Sequence, residues 1–418
     1  MCRADARICP DRYVAAARAG YRPLRSGSAA RLQLKYWLVR TPVSPMRTLL
    51  ARSFGLTALA LAALQVVQAQ DAAGRPALDS FRPTLDTLWR ANPTPGLAVA
   101  VVREGEPVWA DGFGVADTDE EVPVTPDTPF WIASVTKTFI GLTFLDLEAD
   151  GVVDLDARMA DVPGFDRFCG WLSRSPLVFK RGLDCAAPIT VGTVLTHTSN
   201  GDLGHAFFYN PFMFSRLSRY LEWAVNDSTE IEGGMNELAR QVQARVLGPA
   251  GMTRTVASQW DRSKMDVVYD MARGYGMVDG EYVQRRQPAR ALAGGAGVVS
   301  TALDLARYAQ ALDAGSLASP AVMEKLTTPP LDREGQPLPY AYGWYVQDYR
   351  GERLVWHAGW DDEAGASSLL LRVPSRGLAL VLLANGEGVH WDNPLDGAAV
   401  EQSPYARAFL DHFVFGHE

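Results

Sequence analysis

Thr128–Gly151 reads TPFWIASVTKTFIGLTFLDLEADG. An apolar run leads to Ser134, and Lys137 follows three residues later. Phe139, Ile140, Leu142, Phe144, Leu145 and Leu147 then carry the pattern to a stop at Asp150-Gly151. The apolar positions fall nearly all round a helix, which predicts a buried helix starting near Ser134 and stopped by Gly151. Residues three apart share a helix face, with Cβ atoms about 5–6 Å apart, so Ser134 and Lys137 are expected to point the same way. A serine at a helix N-terminus also lies beside free backbone N–H groups, which favour developing negative charge.

This pairing suits nucleophilic chemistry. A serine hydroxyl attacks poorly until a base takes its proton, and a lysine accepts that proton only when neutral. Burial among apolar side chains lowers a lysine pKa. An ordinary serine cap followed by a snorkelling lysine has the same spacing, so S-x-x-K alone leaves both readings open. The pattern occurs once in the chain.

The chain has 418 residues, is 47% hydrophobic and carries a net charge of −8, enough for one large domain or two lobes. Met46–Gln70 (MRTLLARSFGLTALALAALQVVQAQ) has the form of a secretory signal: Arg47 and Arg52, an apolar core over Phe54–Val67, and a small-x-small site ending at Ala69. Residues 46–69 are therefore expected to direct export to the periplasm or medium, with no membrane span after cleavage. Residues 1–45 precede a complete signal and are expected to be an over-extended start or a basic leader. Removing 1–69 takes away 11 of 40 basic and 2 of 48 acidic residues, leaving 29 against 46, a net charge of −17. That acidity argues against nucleic acid or an anionic membrane as partner. Cys169 and Cys185 remain as an even pair in an exported chain and are expected to form a disulfide. The six histidines form no ligand cluster, so no metal is expected.

Along the remaining chain, Pro76–Arg90 reads as a helix, and Gly96–Arg103 and Pro107–Ala116 as strands joined by a turn. Cys169–Cys185 reads as loop, Asn236–Leu247 as a helix, Tyr275–Gln284 as a hairpin, and Thr301–Leu312 as a helix. Tyr340–Tyr349, Arg353–His357, Ser367–Val373 and Leu378–Leu383 read as strands before a last helix, about Tyr405–Phe415. Strands at both ends with helices between them predict an α+β fold: an antiparallel sheet built from both termini, flanked by helices, with an inserted, mostly helical lobe. The sheet-bearing lobe is placed at about 76–135 and 290–418, and the helical lobe at about 136–289.

Three separated motifs then stand out: Ser134-Val135-Thr136-Lys137, Tyr209 in G-x-x-F-x-Y (Gly204–Tyr209), and His357-Ala358-Gly359 at a strand end. With TPDTPFWIASVTKTF, ITVGTVLTHTS, VLGPAGMTRT, AGGAGVVSTALDLARYAQAL, YAYGW and LALVLLAN in the same order, the chain over about 80–412 resembles the serine β-lactamase and penicillin-binding-protein superfamily, specifically its class C-like branch. The resemblance implies a serine hydrolase that needs no cofactor and acts on a small molecule or peptide. Ser134 would be the acylated nucleophile, Lys137 its base, and Tyr209 an acid/base relay with a phenol pKa pulled down by the neighbouring ammonium. His357 would hydrogen-bond Tyr209 or a substrate carboxylate. The backbone N–H groups of Ser134 and Trp360 would form the oxyanion hole, with Asn210, Gly359 and Trp360 contacting substrate.

One departure from the family pattern bears on substrate. Pro211 stands two residues after Tyr209, where an asparagine is expected, and Asn210 comes one place early. That favours an ester or D-amino-acid peptide over efficient β-lactam hydrolysis. His197 and the glycines Gly294, Gly295 and Gly297 read as structural. The competing expectation is a non-hydrolytic sensor or binder of peptidoglycan fragments or β-lactams on the same fold.

Overall fold

In the computed structural model the described residues are 78–92, 94–228, 235–286 and 292–416. The leader, the signal-like segment 46–69 and the first two cysteines lie outside them.

Strand β1 (Gly96–Arg103, GLAVAVVR) is apolar at nearly every position, and the fold uses both of its faces. Leu97, Val99 and Val101 pack in one core with Phe81 and Leu85 of helix α1 (residues 78–91). Ala98, Ala100 and Val102 pack in a second core with Phe139 and Leu142. A strand with side chains alternating between two layers of helices needs no polar face.

The sheet has seven strands in the order β3-β2-β1-β11-β10-β9-β8. β2 (Glu106–Asp117) and β3 (Val122–Pro123) continue from β1. β8 (Tyr345–Tyr349), β9 (Glu352–Asp361), β10 (Ala366–Val373) and β11 (Leu378–Ala384) come from the C-terminal part. The two halves join where β1 pairs antiparallel with β11, Leu97 opposite Ala384 and Val101 opposite Leu380. Helix α11 (Pro404–Leu410) covers the same face as α1, through Phe409. A short pair, β4 (Phe130–Trp131) with β7 (Val299–Ser300), lies beside the sheet, and β5 (Tyr275–Val278) with β6 (Glu281–Gln284) forms the expected hairpin.

The opposite face carries α2 (Thr136–Ala149), buried along most of its length. Its Gly141 meets the Tyr342-Gly343 turn so closely that a Cβ would lie 1.9 Å from the Tyr342 carbonyl oxygen. Sharing the core of α2 are α3 (Phe165–Arg174), α4 (Val191–Leu195), α5 (Pro211–Phe214), α6 (Leu217–Asn226), α7 (Glu237–Val242), α9 (Ala302–Asp313) and α10 (Pro320–Leu326), whereas α8 (Met265–Tyr269) packs through Val267 in a separate cluster with Trp131 and Val299. The architecture is the α+β arrangement expected, with the sheet made by both ends of the described chain. Among the described residues no helix is long and apolar enough to cross a membrane.

Three local readings differ. Cys169 lies within α3 rather than in a loop, because Phe165, Cys169 and Leu172 recur at helical spacing and face the core. Residues 340–344 form a turn ahead of β8, with Gly343 at φ +84°. The helix read over 236–247 is α7 followed by a π-helical segment, Gln243–Leu247. Cys169 and Cys185 are joined in a disulfide.

Candidate active site

Ser134 sits in a tight 3-10 turn, Ala133–Val135, between β4 and α2, rather than on the α-helix itself. Ala133 adopts φ +43°, a left-handed conformation that costs a non-glycine residue roughly 1–3 kcal/mol and persists only where its surroundings enforce it. They do so here. Ile132 N–H donates to Val298 O at 3.2 Å, and Ser368 Oγ donates to Ile132 O at 2.8 Å. β9 presses on the same turn: a Cβ at Gly359 would lie 2.5 Å from Ile132 O and 3.0 Å from Ser134 N. Glycine at 359 therefore brings the β9 backbone against the serine.

Lys137, the second residue of α2, is fully buried. Its Nζ lies 2.8 Å from Ser134 Oγ and 2.7 Å from Gly295 O. Burial pushes the Lys137 amine well below its ordinary range, which favours the free base. A neutral amine donates one N–H to Gly295 O and keeps its lone pair for the Ser134 proton. Gly295, read from sequence as only a packing glycine, thus supplies the lysine's anchoring acceptor.

Tyr209 comes from a distant segment and lies on the same cleft surface as Ser134, which acts on its phenol. Lys137 Nζ lies 5.0 Å from the centre of its ring. The expected lowering of the phenol does not occur. Burial raises it, and the neighbouring Ser134 only partly opposes that. The physical reason is that an uncharged lysine offers no ammonium to stabilise a phenolate. Tyr209 is a neutral phenol, a proton donor in the resting site.

His357 is buried in β9 and lines the cleft. Its Nδ1 meets Ala358 O at 2.6 Å and its Nε2 meets Tyr340 Oη at 3.0 Å. Both ring nitrogens are thus committed, and not to Tyr209, whose ring centre is 5.9 Å away. A carbonyl only accepts, so Nδ1 carries the proton and Tyr340 donates to Nε2. Burial holds the imidazole well below its usual range. Tyr340 was not singled out by sequence reading, although YAYGW contains it.

Asn210 departs from its expected role. It is fully buried, and its Oδ1 caps α5 by accepting from Met213 N–H at 3.1 Å. Its Nδ2 donates to Phe179 O and Asn200 Oδ1 at 3.1 and 2.9 Å. An asparagine directly before a helix is drawn into capping, and Pro211 faces the cleft in its stead. His197, at φ +55°, accepts from Asn210 N–H through Nδ1 at 3.1 Å and packs on Tyr209, ring centres 4.4 Å apart.

These groups open into a cleft of about 560 Å³. Ser134, Tyr209, Gly295, His357, Gly359 and Trp360 lie on its surface. Trp360 is 47% exposed and stacks on His390 at 4.3 Å. A serine hydrogen-bonded to a buried amine, with a phenol on the same cleft surface, can be activated for attack while the phenol protonates a departing group.

The beta-lactamase family model matches residues 81–403. A D-aminopeptidase of Gluconobacter oxydans is 27% identical over 333 residues, 73% of this chain and 59% of that protein. The chain thus spans about six-tenths of that relative's length. Among solved structures, a class C beta lactamase from Rhodobacter sphaeroides superposes with a TM-score of 0.56 at 18% identity, over 81% of this chain and 99% of that one. The D-alanine carboxypeptidase AmpC from Burkholderia cenocepacia gives 0.58 at 20%, also over 81% and 99%. With the family model covering well over half of its length, the chain belongs to the beta-lactamase family, within the superfamily of serine β-lactamases and penicillin-binding proteins.

Proposed function

We propose that the protein is an exported serine hydrolase that works through an acyl-enzyme on Ser134. The observation that carries this reading is the 2.8 Å approach of a buried, neutral-leaning Lys137 amine to Ser134 Oγ beside the Tyr209 hydroxyl. Lys137 takes the serine proton as Oγ forms a bond to the substrate carbonyl carbon. The carbonyl oxygen becomes an oxyanion facing the backbone N–H groups of Ser134 and Trp360. As the bond to the leaving group breaks, Tyr209 gives it a proton and recovers one from the Lys137 ammonium. Water then attacks the ester, gives its proton to the same pair, and Ser134 leaves with a proton restored. His357, committed to Tyr340 and Ala358, acts as an orienting wall rather than a proton carrier.

The substrate is an ester or a D-amino-acid peptide. The D-aminopeptidase relative supports the peptide. The turn of Asn210 away from the cleft supports weak β-lactam hydrolysis at most, since no side-chain amide projects from the position after Tyr209 to hold a lactam amide. The signal-like segment 46–69 and the Cys169–Cys185 disulfide support export.

Intact mass after exposure to a p-nitrophenyl ester, a D-alanyl amide and a penicillin tests this. The expected result is an adduct on Ser134 that turns over with the first two and is absent in Ser134→Ala. An adduct that forms once and never turns over with any of them would favour a sensor. No adduct with any acylating probe would sink the proposal.

A further inference from the structure

We propose that His197 is a positioning residue that sets where the Tyr209 hydroxyl meets the leaving group; this rests on the acyl-enzyme reading and adds one residue to it.

His197 holds the chain on both sides of Tyr209. Its own carbonyl accepts from Phe208 N–H at 2.9 Å, and its Nδ1 accepts from Asn210 N–H at 3.1 Å. The amide between them, Tyr209 N–H, donates to Leu395 O at 2.7 Å. Three consecutive N–H groups are thereby engaged, two of them by one residue. The imidazole adds a further link. It packs on the Tyr209 ring with centres 4.4 Å apart, and lies beside Phe214 and Tyr340 at 5.1 and 4.8 Å. Lys137 Nζ is 5.0 Å from the centre of the Tyr209 ring and 5.5 Å from that of Phe214. The imidazole therefore packs against the same two rings that flank the lysine.

Holding a histidine this way is costly for the fold, which argues for a use beyond filling space. His197 is fully buried and adopts φ +55°, a left-handed conformation that a non-glycine residue keeps only where its surroundings enforce it. Because Asn210 donates to Nδ1, the ring proton sits on Nε2. Nε2 is buried and has no hydrogen-bond partner among the described residues, which is destabilising for a donor. A phenylalanine would fill the space without that loss, but it could not accept from Asn210 N–H. Burial holds the imidazole well below its usual range. That preserves the bond, since an imidazolium carries a proton on both nitrogens and accepts from nothing.

A shift of the backbone at Tyr209 would move its hydroxyl, and the step that depends on that hydroxyl is protonation of the departing group. The test is kcat/KM for p-nitrophenyl acetate and ethyl acetate. Both form the same acetyl-enzyme, but ethoxide needs a proton to leave and p-nitrophenolate does not. His197→Gly suits φ +55° and removes both ring and acceptor. His197→Asn tolerates the same φ and carries an acceptor oxygen on Cγ, as histidine carries Nδ1. Relative to wild type, His197→Gly is expected to lose about tenfold or more on ethyl acetate and about threefold or less on the p-nitrophenyl ester. His197→Asn should recover most of the loss on ethyl acetate. In a Tyr209→Phe background His197→Gly should cost ethyl acetate less than about twofold more, because the two residues act as one unit. If His197→Gly does not fold, His197→Phe, which keeps the volume and loses the acceptor, replaces it in each comparison. Equal losses on the two esters, no loss on either, an undiminished loss in the Tyr209→Phe background, or no recovery in His197→Asn would overturn the proposal. So would a wild type that turns over only the p-nitrophenyl ester, since there would be no leaving-group protonation to position. No turnover of either ester together with no adduct on Ser134 would instead overturn the acyl-enzyme reading, and this proposal with it.

Discussion

Lys137 Nζ stands 2.8 Å from Ser134 Oγ while its other contact is the Gly295 carbonyl at 2.7 Å. The amine is therefore placed to accept a proton, and burial lowers its pKa from 10.5. The neutral form is the active one, so activity is present above the folded-state pKa and lost as pH falls through it. A pH profile of kcat/KM for an uncharged ester should rise with pH and level off well below 10.5. A rate that falls with rising pH over the same range would exclude Lys137 as the base.

The same burial weakens the fold. An unfolded Lys137 binds a proton up to about 10.5, whereas the folded one loses it at lower pH. Between those two values the unfolded state holds more protons, so this group's contribution to stability rises with pH. Lys137→Met removes the desolvated amine while keeping its volume. The expected outcome is a Tm raised by about 1–3 °C with activity down by about a thousandfold or more. A melting curve showing clear destabilisation would mean that the contact with Gly295 outweighs the cost of burying the amine.

Tyr209 as a neutral phenol makes a separate claim about leaving groups. A p-nitrophenolate departs without protonation, whereas an amine cannot. Tyr209→Phe should therefore cost an anilide or peptide substrate about 10²–10⁴ in kcat/KM, and a p-nitrophenyl ester about tenfold or less. Equal losses on both substrates would reduce Tyr209 to a group that only orients Ser134.

What could be read in the linear chain follows from which interactions are local. The apolar run of β1 and the all-round apolar pattern of α2 are properties of a few consecutive residues, and both appear where expected. The side-chain pair Ser134 and Lys137 is local too. The Gly295 carbonyl that anchors Lys137 lies 158 residues away, and a backbone acceptor leaves no mark in residue type. Asn210 misled because motif position does not reveal side-chain direction: the helix beginning at Pro211 draws its Oδ1 inward as a cap. The expected acidification of Tyr209 assumed a charged lysine, and the depth of burial that makes it neutral is a property of the whole core.

Tyr340 and His357 form a second buried contact, Oη to Nε2 at 3.0 Å. Tyr340→Phe keeps the ring stacked on Phe207, whose centre is 5.6 Å away, but leaves Nε2 without a donor. Stability should fall by about 1–2 kcal/mol, read by chemical denaturation. The loss in kcat/KM should stay within about tenfold, because the imidazole orients and does not carry the proton. A loss as deep as that of Ser134→Ala would place His357 in the proton path.

The Cys169–Cys185 bridge closes a loop with a sequence separation of 16, for which loop-closure entropy gives about 3 kcal/mol of stabilisation. The loop also carries Phe179, whose carbonyl holds Asn210, and Asn210 in turn caps the helix that follows Tyr209. Reduction should therefore act on more than stability. In Cys169→Ser/Cys185→Ser, or in the native protein under reductant below its melting point, KM for a bulky ester is expected to rise several-fold while kcat changes less. The double variant should not respond further to reductant. Should KM and kcat stay unchanged while Tm falls, the bridge would serve only the fold, and the cleft-lining Phe179 would owe its position to Asn200 and Asn210 alone.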